Sequence, residues 1–187
     1  MDAAGVPTPA ERRLLRALDE VGHASQASDG VSEAGWTGLA EHLRAGFATF
    51  VHWRDNGPSA GRPLLLHTYA TPVARPSGAG LALQGWLYPA LLRDGVSAAW
   101  QQPVVELLFE RLRHLLLSLD QASGSTDALP GVHVFDSASR VVLAPASPDD
   151  AGPSGDWINE IHLSASGDRK FGRAFGAWIG EVLARYA

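Results

Sequence analysis

Apolar residues recur along the chain with two periods. Leu14, Leu15, Leu18 and Val21 return at helical spacing until Gly22, behind Thr8-Pro9 with Glu11 three residues beyond Thr8, a capping-box pattern. This predicts a first helix. After a small, polar stretch from His23 to Gly35, Trp36, Leu39, Ala40, Leu43, Phe47, Phe50 and Val51 mark a longer amphipathic helix that stops at Asn56-Gly57-Pro58. Pro63 then opens the apolar run Leu64 to Ala70, which reads as a buried parallel strand. A loop with two prolines and two glycines, Thr71 to Gly80, leads to a short helix around Gly85 to Leu92. A long helix follows from about Ala98 to Leu119, apolar at Val104, Val105, Leu108, Leu112, Leu115, Leu116 and Leu119. Val132 to Asp136 is a second strand, Val141 to Ala144 a brief third, and Pro145 to Gly155 a surface loop. The last helix runs from about Asp168 to Arg185 and buries Phe171, Phe175, Trp178 and Val182.

Strands alternating with long helices predict an α/β layered domain, with ligands at the C-terminal ends of its strands. The length of 187 residues fits one domain, helical over 1–60 and holding its layered core over 61–187. Hydrophobic residues make up 45% and charged residues 19%, enough apolar material for a core. The net charge of −5 without a basic block argues against a nucleic-acid partner. With no cysteine in the chain, thiolate catalysis, disulfides and cysteine metal sites are excluded, which leaves a hydroxyl as candidate nucleophile. No secretory leader pattern opens the chain and no apolar run reaches membrane-spanning length, so a cytoplasmic protein is expected.

Candidate chemistry gathers in the segment Asp156-Trp157-Ile158-Asn159-Glu160-Ile161-His162-Leu163-Ser164. A histidine in such a loop acts as a general base if a neighbouring group orients its far nitrogen. Equally, Asp156, Asn159 and His162 can simply satisfy loop main-chain groups.

The same segment, continued to Gly167 and a helix with Phe171 and Trp178, resembles the terminal catalytic block of the SGNH (GDSL-type) hydrolase superfamily, approximately Asp-Trp-x-Asn-Glu-x-His-Pro-Thr-x-x-Gly. Leu65-Leu-His-Thr-Tyr69, Gly85-Trp-Leu-Tyr-Pro89 and Val132-His-Val-Phe-Asp136 fit one branch of it, so the resemblance spans about residues 64–187. It implies a flavodoxin-like three-layer fold and ester hydrolysis without a cofactor or metal, on a small-molecule or lipid ester. It makes His162 the general base and Asp156 or Asn159 its orienting partner. Asp156 is preferred, because an asparagine fixes a tautomer but does not stabilise an imidazolium by charge.

The chain departs from the family pattern in three ways. Leu163 replaces a common proline, and neither the strand ending in Gly-Asp-Ser that carries the attacking serine nor the Gly-x-Asn-Asp segment is present. Gly57-Pro-Ser59-Ala-Gly61 matches a nucleophile elbow only in letters, since a helix precedes it and a strand follows. Ser32, in Gly30-Val-Ser-Glu-Ala34, has no strand before it. The expectation is therefore an ester hydrolase domain that lacks its first strand and its nucleophile, with a non-catalytic binding or scaffold relative as the alternative. Loss of a strand exposes a sheet edge, which a homo-oligomer would cover. His67 is expected as a site wall, His42, His52 and His114 as solvated helix residues, and the tryptophans as packing groups, with Trp86 and Trp157 near the site.

Overall fold

The computed structural model describes residues 9, 12–16, 18–22, 24–80 and 83–187. Their elements in order are α1 (Leu18–Val21), a 3-10 turn (Ala27–Gly30), α2 (Glu33–Asp55), β1 (Leu64–His67), α3 (Leu87–Arg93), α4 (Ala98–Ser118), β2 (Val132–Phe135), α5 (Ser137–Arg140) and α6 (Ala165–Leu183). The class is mixed α/β, built on a two-stranded parallel sheet.

In that sheet Leu64 pairs with Val132 and His67 with Phe135, and α3 and α4 make the crossover that parallel strands require. Side chains alternate across the pleat. Leu64, Leu66, Val132 and Val134 face Ala40 and Val51 of α2 and Leu115 and Leu116 of α4. Leu65 and Phe135 face the opposite way, onto Phe171, Phe175, Trp178 and Val182 of α6. Helices thus cover both faces, which explains why both strands read as continuous apolar runs rather than alternating ones. A further cluster, Leu15, Val31, Ala74, Leu91, Val104 and Val105, joins the N-terminal segment to α3 and α4. Val104, Val132 and Val182 are each at most 1% exposed, and each such burial contributes roughly 1.5–3 kcal/mol.

The two edges of the sheet differ. On the β2 side the Asp120 carboxylate accepts from Val134 N at 2.7 Å, and Gln121 N donates to Val132 O at 2.9 Å. That edge is closed. On the β1 side, Leu64 N donates to Gly131 O and Thr68 N to Phe135 O, so even-numbered residues address β2. By the two-residue alternation of the ladder, the main-chain groups of Leu65 and His67 point away from it, onto an edge with no strand among the described residues.

Several expectations are corrected. Residues 13–16 are not helical. Leu15 instead forms an antiparallel bridge with Val31, Ser32 N donates to Leu14 O, and Arg16 N donates to Gly30 O, so tertiary pairing overrides the helical spacing. Among the described residues the α-helix there is Leu18–Val21, ending at Gly22 with φ +59°. The expected capping pair, Thr8 and Glu11, lies outside the described residues. Val141 to Ala144 is not a strand, because both main-chain groups of Ala144 are held by Asp156 rather than by a sheet neighbour. Ser32 is the N-cap of α2, its Oγ accepting from Gly35 N at 3.1 Å, which accounts for its hydroxyl structurally. The last helix begins at Ala165, capped by Ser164 rather than at Asp168. Among the described residues no helix is long and apolar enough to cross a membrane.

Candidate active site

The C-terminal ends of β1 and β2 open into a cleft of about 210 Å³, where a parallel α/β sheet places its ligands. His67, Thr68, Tyr69, Ser137, Trp157 and His162 are among its lining residues.

One wall is the loop 156–164, pinned at several points. Trp157 is buried and bridges both Ser154 and Leu163, and Ile158 N donates to His162 O at 2.8 Å. Ser164 N donates to Asp156 O at 2.8 Å, and Gly167 sits so close to that carbonyl that a Cβ would lie 2.5 Å from it. Glu160, 1% exposed, holds the loop from the other end. Its Oε2 accepts from Trp86 N at 2.6 Å and Leu87 N at 3.0 Å, and its Oε1 accepts from Tyr88 N at 2.6 Å. These donors are the otherwise unpaired N–H groups at the start of α3, so the carboxylate caps that helix from a distant segment. Gly85 is the residue that admits it, since a Cβ there would collide with Glu160 Oε2 and Ser77 O. The clamp places the Trp86 ring edge-on to His162, at 5.2 Å between centroids.

His162 is solvent-exposed at the rim of the cleft. Its Nδ1 lies 3.2 Å from Asn159 Oδ1, which also accepts from Ile161 N at 3.1 Å and His162 N at 2.8 Å. Those two main-chain donors fix the amide oxygen, rather than its nitrogen, toward the ring. An oxygen can only accept, so Nδ1 carries the proton and the Nε2 lone pair is free to act as a base.

The structure does not bring Asp156 to His162. Asp156 Oδ2 accepts from Lys170 Nζ at 2.5 Å and from Ala144 N at 2.7 Å. The Lys170 ammonium, and then the Ala144 N–H, hold its carboxyl below the ordinary range. It anchors the loop to α6, and the residue at the imidazole is Asn159.

The opposite wall carries hydroxyls, and each already has a structural partner. Ser137 Oγ, 2% exposed, donates to Thr68 O. Thr68 Oγ1, fully buried, donates to Asp136 Oδ1 at 3.0 Å and accepts from Ala138 N at 3.0 Å. Tyr69 OH donates to Ile161 O, and burial raises its pKa. Asp136 is gripped in turn by Arg113 through Nε at 2.9 Å and Nη2 at 2.7 Å, and by Ser139 Oγ at 2.6 Å. The guanidinium above all holds its carboxyl far below the usual range. His67 Nδ1 donates to Thr68 O at 2.6 Å and its ring packs on Phe171 at 4.9 Å, which makes it a wall residue. His133 is buried on β2 against Tyr186 OH at 2.7 Å, away from the partners of Asp136.

No family model, curated protein or solved structure matches this chain.

Sequence reasoning singled out His162 and placed Asn159 as its alternative partner. Glu160 and Lys170 were missed as organisers of the site. For Glu160 the signal was an acid inside a loop otherwise anchored by apolar residues. For Lys170 it was the chain's single lysine, one turn into a helix that follows an aspartate.

Proposed function

We propose that this chain carries the general-base part of an SGNH-type serine ester hydrolase, the attacking serine belonging to a segment outside these 187 residues. The reading rests on one observation, an imidazole at the rim of a strand-end cleft with Nδ1–H tied to Asn159 and Nε2 free. In the reaction, Nε2 takes the proton of the attacking hydroxyl as it adds to the ester carbonyl, then returns it to the departing alcohol. Asn159 sets the tautomer, the part an asparagine also takes beside histidine in cysteine proteases. A cleft of about 210 Å³ is small beside the ~300–1,000 Å³ of ligand pockets, which favours a short acyl group over a long lipid chain. The open edge beside Leu65 and His67 is consistent with a neighbouring strand that the described residues do not supply.

The second reading is a non-catalytic binding relative. It is favoured by the cleft's hydroxyls, which all serve structural bonds.

The two readings separate in an assay of short-chain aryl ester hydrolysis. It compares the 187-residue chain, a chain extended by the in-frame codons upstream of Met1, and the extended chain with His162→Ala. The hydrolase reading expects turnover only in the extended chain, with a loss of about 10³-fold or more in His162→Ala. Turnover by the 187-residue chain itself, or turnover of the extended chain that survives His162→Ala, contradicts it. A folded, inactive extended chain favours the binding reading.

A further inference from the structure

The cleft between the strand ends and the loop 156–164 is walled mostly by carbon. Tyr69, Trp157 and Phe171 supply aromatic rings to its lining, and Val141 and Leu143 supply aliphatic groups. Among the described residues no lysine or arginine lines it, and the one carboxylic acid that does is Asp168, in the first turn of α6. Two other aspartates close to the site are neutralised, Asp136 by Arg113 at 2.7 Å and Asp156 by Lys170 at 2.5 Å. Asp168 differs from both. It is exposed, and its carboxylate has no hydrogen bond or ion pair among the described residues. What ties Asp168 to the fold is its main chain, whose N–H donates to Ser164 O at 2.8 Å. Without a partner, the carboxylate turns about two side-chain bonds and stays within reach of an ion seated in the cleft that the residue borders.

We infer that this cleft takes a small organic cation of the trimethylammonium type, with the Asp168 carboxylate as its counter-ion. A quaternary ammonium spreads its charge over methyl groups that donate no strong hydrogen bonds, so walls of carbon suit it better than they suit a strongly hydrated ammonium. Aromatic rings attract such a cation through their quadrupole. The carboxylate adds a Coulomb attraction at the edge of a water-poor cleft, and no basic residue in the described lining opposes it. A neutral molecule of the same shape receives the apolar contacts without either attraction. Asp168 also complements the N-terminal end of the α6 dipole, a role that needs no ligand and makes no demand on what the cleft binds. The inference names a substrate class for the proposed hydrolase, an ester that joins a trimethylammonium group to a short acyl group, and it rests on that reading only for turnover.

The test uses the ¹⁵N-labelled 187-residue chain and follows the main-chain amide signals of Ala70, Ile161 and Leu163, residues that line the cleft. Choline chloride and neohexyl alcohol, the uncharged isostere in which carbon replaces nitrogen, are titrated separately at constant ionic strength, into the wild-type chain and into Asp168→Asn. The expected result is a saturable shift with choline in the millimolar range, about tenfold or more tighter than with the alcohol. In Asp168→Asn the affinity for choline should fall about fivefold while that for the alcohol stays put. An acid that serves only the helix terminus leaves choline binding in Asp168→Asn at the wild-type value, and that result overturns the proposal. Equal affinity for the two ligands, or a choline shift that does not saturate, overturns it on the wild-type chain alone. Failure of the hydrolase reading looks different, because choline then saturates as expected while the extended chain turns over no ester, which upholds the cation site without the ester chemistry.

Discussion

The two walls of the strand-end cleft carry similar polar groups and use them in opposite ways. On the loop side, Glu160, Asn159 and Trp157 fix main-chain and ring positions so that one polar atom, Nε2 of His162, is left facing outward. On the sheet side, Thr68, Ser137 and Asp136 turn their polar atoms inward and tie β1, α4 and α5 together. The lesson is that proximity of a serine and a histidine in one cleft does not make a nucleophile and a base. A hydroxyl that donates to a buried carbonyl has its proton already placed, whereas His162, tied through Nδ1, presents Nε2 outward.

The strongest way to break the contrast is at Glu160. Glu160→Ala removes the acceptor from three main-chain N–H groups at once, and unfolding free energy measured in urea should fall by about 3 kcal/mol or more. Glu160→Gln keeps one acceptor oxygen and should lose less. Equal losses in the two variants would show that hydrogen bonding at the start of α3 is not what holds the loop.

Next in size is the acid sensitivity of the sheet side. Asp136 has its folded pKa depressed, first by Arg113, so its contribution is complete above the unfolded value of about 3.9 and is lost as pH falls below that toward the folded value. The amount is on the order of 2 kcal/mol, read from urea midpoints between pH 7 and pH 2. Arg113→Met should flatten that acid limb, and an unchanged limb would remove Asp136 from the account of stability. Smaller still, Ser137→Ala should cost about 1 kcal/mol while leaving the tautomer of His162 unmoved. Labelling of Ser137 by a fluorophosphonate would sharpen the comparison against us, because it would make that hydroxyl reactive.

Much of this layout could be read from the residues, for identifiable reasons. The long helices α2 and α4 and the two strands announce themselves because each buries a periodic face against the others. The segment around Leu14 and Leu15 carries the same spacing, yet it pairs with residues 30–32, a tertiary choice that local periodicity does not encode. At the site, the interval of three residues between Asn159 and His162 made their contact legible. The preference for Asp156 rested on charge alone and could not anticipate Lys170, 14 residues further on in α6, as its partner. Glu160 binds more than 70 residues upstream, a connection that exists only in the fold.

The contrast between the walls stands or falls with the proton on His162. Free histidine favours the Nε2–H tautomer, so the opposite form has to be imposed by its surroundings. A long-range ¹H–¹⁵N correlation spectrum above the ring's pKa should show Nδ1 protonated and Nε2 bare in the wild-type chain, and a return toward the free-histidine mixture in Asn159→Ala. A wild-type ring that holds its proton on Nε2 would contradict the assignment of His162 as an oriented base.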